Sequence, residues 1–178
     1  MLSEDPVKKV ESETTLLEKI MLAVPGFKGY KQKEIRREAD KLVRDRFARM
    51  LEKNRNNLQD IHKALLTNRL EAAGTVDQIV TRLDRIVAKV KHASYGYSGF
   101  FDAIKISEDD LDRMLQFDVK LLEDSKGIKD LIRTFKDEVG SNKYENALTY
   151  GNQASEMLDR LEDTFDERAD IIKGLEAQ

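Results

Sequence analysis

Apolar residues recur along most of this chain in steps of three and four, the spacing of one face of an α-helix. Over residues 14–24, Leu16, Leu17, Ile20, Met21 and Val24 share one side, which predicts a short amphipathic helix stopped by Pro25 and Gly26. The polar, acidic stretch before it, residues 1–13, reads as a tail. Residues 1–26 are therefore set apart from a single helical-bundle domain over 27–178.

After a turn at Phe27-Lys28-Gly29-Tyr30, a long helix is predicted from about residue 31 to residue 73. Its seam is Phe47, Leu51, Asn54, Leu58, Ile61 and Leu65, a coiled-coil-like spacing interrupted by one amide. Asn54 either fixes register at a cost in stability or reaches solvent at the edge. Gly74 is expected to end this helix and Thr75 to cap the next, giving an antiparallel hairpin. The returning helix, 76–93, carries a stripe of Val76, Ile79, Val80, Leu83, Ile86, Val87 and Val90.

Residues 94–106 interrupt the helical pattern. Ile104-Lys105-Ile106 has the character of a short extended segment, but no second strand is available to pair with it. Ser107 then resembles the first residue of a capping box, with Asp110 three positions on, and Glu108, Asp109 and Asp110 suit a helix N-terminus electrostatically. Leu111, Met114, Leu115, Leu121 and Leu122 begin the next face, and Ile128, Leu131, Ile132, Phe135 and Val139 continue it to Gly140. Gly127 is expected to kink or break this helix. A last helix is predicted from about residue 142, with Gly151 and Ala154 small enough for close helix approach. The fold class is all-α: an elongated antiparallel bundle of about four long helices, in two hairpins, plus a short N-terminal helix.

Composition agrees with long helices, with 37% charged residues and only two prolines among 178. The absence of cysteine excludes disulfides, thiolate metal sites and a cysteine nucleophile. No secretory signal or membrane-length apolar run is evident, so a cytoplasmic location is expected, with peripheral membrane attachment as a variant. The net charge of -3 conceals segregation. Residues 28–69 hold thirteen Lys/Arg and six Asp/Glu (+7), and residues 107–178 hold ten and nineteen (-9). Either the basic and acidic parts lie against each other, or each meets a partner of opposite charge.

Tests for chemistry fail. Gly96-Tyr97-Ser98-Gly99 has its second glycine one residue too early for a nucleophile elbow. Neither His62 nor His92 has the glutamate three residues earlier that a di-iron bundle needs. Asp109, Asp110 and Asp112 lack the pattern of a calcium loop. Asp118, within an apolar series, is the one acid whose surroundings bear on reactivity, and otherwise a boundary residue paired with a cation. No catalytic residue, cofactor or metal is assigned.

Two interaction surfaces remain. Tyr95, Tyr97, Phe100 and Phe101 close one end of the bundle or anchor a partner protein. Phe27, Lys28, Tyr30, Lys31, Lys33, Arg36 and Arg37 combine aromatic and basic character suited to an anionic surface, unless Phe27 and Tyr30 simply pin the entry to the long helix. The expected function is a non-enzymatic scaffold or adaptor that acts through protein contacts, including self-association into a homo-oligomer, with an anionic membrane surface as a further partner. The alternative is an RNA- or ribosome-associated factor that uses the basic face of residues 28–55.

Overall fold

The computed structural model describes the backbone of residues 6–31, 36–93 and 107–176, and the side chains of 15–31, 36–93 and 107–170. It is an all-α bundle. The helices are α1 (Pro6–Ala23), α2 (Arg36–Leu65), α3 (Leu70–His92), α4 (Glu108–Gly140) and α5 (Ala147–Glu176).

Helices α2 and α3 form one antiparallel hairpin. The ion pair of Arg55 with Asp84, at 2.6 Å, and the Lys91–Glu52 pair bind them in opposite order along the chain. Helices α4 and α5 form the other, and the two hairpins stand side by side pointing the same way. Thr75 lies against Gly151, Arg82 bonds Glu162 at 2.9 Å, and Lys89 pairs with Asp166, so α3 and α5 run parallel. Lys136 reaches Asp60 at 2.8 Å between the parallel pair α2 and α4. The perimeter order is therefore α2, α3, α5, α4, with α1 laid mainly on α4. Residues 94–106 join α3 to α4, which occupy diagonal corners.

The apolar seams bury largely where periodicity places them, but Leu131 is only part-buried, and Met21, read on the same side as Ile20 and Val24, is half exposed. A main core gathers Phe47, Leu51, Leu58, Leu83, Ile86, Ile128, Phe135, Leu158 and Phe165, with Phe47 and Phe165 stacked at 6.1 Å. A second cluster fills the end where α2 and α4 begin, from Ile20, Val24, Phe27 and Tyr30 with Ala39, Val43, Leu111, Met114, Leu115, Val119 and Leu122. Ser107 caps α4 as its sequence predicts, its Oγ accepting the Asp110 N–H at 3.2 Å.

Four boundaries differ from the sequence reading. Helix α1 begins at Pro6, not near residue 14, and proline suits a first turn because its missing N–H is not needed there. The first hairpin turns at residues 66–69, where the Asn68 and Arg69 N–H groups both donate to the Leu65 carbonyl. Ala72 continues the stripe of either helix, being seven residues beyond Leu65 and four before Val76, so periodicity alone does not locate the break. The weak helix formers Thr67 and Asn68 do. Gly74 and Thr75 are thus inside α3, with Gly74 exposed.

Gly127 does not break α4. A Cβ there would lie 2.9 Å from Met157 Cε, so this glycine admits a side chain of α5 into contact. The last helix starts at Ala147 rather than near residue 142, and Asn142 turns the chain with a φ of 58°.

The Gly74 assignment is testable. Nothing lies within 4 Å of a Cβ built there, and its backbone does not have positive φ. Gly74→Ala is therefore expected to stabilise the protein by about 0.5–1 kcal/mol in urea unfolding. A comparable loss would mean a left-handed glycine that ends a helix.

Candidate functional site

The most elaborate constellation among the described residues is a buried cluster of charges between the two apolar cores. It draws on the turn before α2, on α2 itself, on α4 and on α5. Arg168 of α5 and Asp118 of α4 are almost completely buried, as are Asp40 of α2 and Tyr30. Arg168 Nε donates to Asp118 Oδ1 at 2.7 Å, and its Nη2 donates to Asp40 Oδ1 at 2.8 Å. The Tyr30 hydroxyl donates to Asp118 Oδ2 at 2.6 Å and lies 3.4 Å from Arg168 Nη2. Arg44 Nε completes the set by donating to Asp40 Oδ2 at 2.7 Å, and its Nη1 reaches the Val90 carbonyl of α3.

Two carboxylates thus meet two guanidinium groups, and a buried charge is tolerable only when paired in this way. Burial opposes charge on Arg168, yet Asp118 and Asp40 hold it ionised, well above its usual value. Burial pushes the Asp118 carboxyl up, against the lowering by Arg168 and Tyr30. Burial, reinforced by the Asp118 charge, also raises the Tyr30 phenol well above its usual value, so it remains a donor. One atom of the cluster, Arg168 Nη1, has no hydrogen-bond partner among the described residues.

Asp118 is the acid the sequence singles out. The structure places it in the interior, bonded to Arg168 and Tyr30, rather than at a boundary. Arg168, and Asp40 which shares it, carried a signal that the apolar pattern obscured. Stepping seven from Leu161 or three from Phe165 reaches Arg168, and stepping back seven from Phe47 reaches Asp40. Charged residues therefore occupy seam positions on three helices.

The basic-aromatic surface divides. Phe27 and Tyr30 are core residues, packed edge to face at 5.3 Å, and Arg36 is buried with Nε donating to the Tyr30 carbonyl at 2.8 Å. Lys28, Lys31 and Arg37 are exposed, and Lys33 lies outside the described residues. An anionic-surface role for this segment would then rest on charge without its aromatics. Tyr95, Tyr97, Phe100 and Phe101 also lie outside the described residues, as do Ser98 and residues 104–106. His62 is half-buried and His92 exposed, and no group of three metal-ligating side chains occurs among the described residues.

The acidic half of the sequence does face basic side chains, but on α3: Arg82 binds Asp159 and Glu162, and Arg85 and Lys89 also reach Glu162. No described helix is long and apolar enough to cross a membrane.

Among the described residues, large apolar side chains left in water concentrate at two places. Leu66 and Leu70 flank the turn between α2 and α3, 47% and 72% exposed, and Leu148 emerges from the first turn of α5 at the same end. The Asn68 amide of that turn donates to the Tyr144 hydroxyl at 3.2 Å, joining it to the α4–α5 turn. Met21 and Leu22 form the second place, on α1 at the other end. No known protein family, curated protein or solved structure matches this chain.

Proposed function

We propose that the protein is a non-enzymatic helical scaffold or adaptor that receives a protein partner at the turn end of its bundle. The observation that carries this reading is the exposed leucine group of Leu66 in the α2–α3 turn, Leu70 at the start of α3 and Leu148 at the start of α5. Apolar groups gathered at one end of a charged helical surface suit the core of a protein contact. The rim supplies mixed polarity from exposed Arg69, Glu71, Lys143 and Glu145. The buried cluster supports the same reading, because Asp118 and Arg168 are bound to each other instead of to a solvent-facing cleft.

The test is a triple variant, Leu66→Ser, Leu70→Ser and Leu148→Ser, compared with the wild type by proximity crosslinking in the native cell and by thermal unfolding. All three side chains are exposed, so stability should change little, by roughly 0.5 kcal/mol or less per site. The crosslinked partner set should lose its principal member. A partner set identical to that of the wild type would remove the turn end as the docking surface.

A further inference from the structure

Helix α1 ends in a tight turn, Val24-Pro25-Gly26-Phe27, in which the Phe27 N–H donates to the Val24 carbonyl at 3.2 Å. Proline in second place and a glycine with φ of 88° in third are the signature of a type II turn. After this turn the chain is pinned. Phe27 and Tyr30 are buried, the Tyr30 hydroxyl enters the charge cluster, and Arg36 holds the Tyr30 carbonyl. Before the turn, α1 lies chiefly on α4, contributing Ile20 and Val24 to the cluster of Leu111, Met114, Leu115, Val119 and Leu122. One turn therefore separates a fixed anchor from a helix without which an apolar cluster is incomplete.

The outer side of α1 is also apolar where it meets the turn. Leu22 is 86% exposed and Met21 50%.

We propose that α1 is an exchangeable strap: in a dimer, each copy's α1 swings out at Val24–Phe27 and takes the same seat on the other copy's α4. Each copy then supplies Ile20 and Val24 to the other's cluster. An identical segment restores every contact within the seat, so exchange changes only the turn and the surface around it. Exchange of an identical terminal element at a short hinge is a low-cost route to a two-fold dimer. The new surface forms where the two opened turns pass each other. Met21 and Leu22 lie three and two residues before the turn, and their burial there gives the exchanged form a contact that the single chain lacks. The exchange does not use the turn-end leucines, so it stands apart from the adaptor reading.

The chain has no cysteine, so introduced ones report alone. Lys19 Nζ and Glu123 Oε1 are 2.9 Å apart, both exposed, and join α1 to α4. Full-length chains carrying Lys19→Cys and Glu123→Cys separately are mixed, incubated at high concentration and treated with a short bismaleimide. The double variant at low concentration provides the link within one chain that shows the reagent spans the pair. The expected result is a two-chain product joining residue 19 of one copy to residue 123 of the other, with a yield that rises with concentration. Adding Met21→Ser and Leu22→Ser to both chains should weaken the dimer roughly tenfold or more, on the scale of one buried aliphatic side chain. A dimer by sedimentation without the 19–123 link between chains overturns the exchange, as does a chain that stays monomeric at every concentration. An undiminished yield in the serine variant overturns the role of Met21 and Leu22. In each of these cases the turn-end test stands unaffected.

Discussion

Arg168→Met is expected to destabilise the protein by about 3–5 kcal/mol, the usual cost of removing one partner from a buried ion pair. Methionine matches much of the arginine stem, so little of this loss comes from an empty cavity. The loss arises because, among the described residues, Asp118 keeps only the Tyr30 hydroxyl and Asp40 keeps only Arg44. At about 2–4 °C per kcal/mol for a chain of this size, thermal unfolding should fall by on the order of 10 °C. Adding Asp118→Leu to Arg168→Met should recover a large part of the deficit, since it removes the stranded charge. Buried ionic groups replaced together by apolar ones are often neutral or stabilising. A double variant as unstable as the sum of its two single variants would show that the two side chains are not coupled.

Asn54→Leu is expected to act in the opposite direction. Asn54 is 1% exposed on the seam of α2, and neither its amide nitrogen nor its oxygen has a hydrogen-bond partner among the described residues. A buried polar group left unsatisfied costs about 1–3 kcal/mol, and leucine has the same branched side-chain shape and matches the Leu51 and Leu58 around it. A rise of about 1–3 kcal/mol in urea-unfolding stability is therefore the expected result. No change, or a loss, would mean that the amide is satisfied by an internal water. A seam asparagine of this kind buys register at the expense of stability in coiled coils. The stabilised variant should accordingly be examined by sedimentation for associated states that the wild type does not form.

The bundle itself was legible because long stripes at three-and-four spacing force helices, and short connections force hairpins. Val76 through Val90 and Leu158 through Phe165 bury as their spacing requires. Boundaries were less legible where one residue fits two phases. Ala72 continues the stripe of α2 and begins that of α3, so the glycine after it drew the break that Thr67 and Asn68 in fact make. Gly127 misled for a different reason: the demand for a missing Cβ came from Met157, thirty residues away in sequence.

The charge cluster was half legible. Asp118 announced itself between apolar neighbours, but its partners belong to other helices, and a sequence read one helix at a time does not pair them. How the two hairpins pack side by side, which brings Asp40, Asp118 and Arg168 together, is a property of the assembled bundle. The basic-aromatic segment was read outward because lysines surround Phe27 and Tyr30. The hydroxyl of Tyr30 accounts for the inward placement, since it donates to the fully buried Asp118 carboxylate.

The sequence separation of that cluster bears on the order in which the molecule assembles. Each hairpin closes through local contacts, whereas Arg168 and Asp40 are 128 positions apart, and Arg168 and Tyr30 are 138 apart. Bonds of that separation join one hairpin to the other, so they are expected to form late, after the local contacts of each hairpin. Interactions absent from the transition state act on the escape rate from the native state instead of the rate of entry. On that expected order of assembly the buried charges act as a kinetic catch, slowing unfolding more than they speed folding.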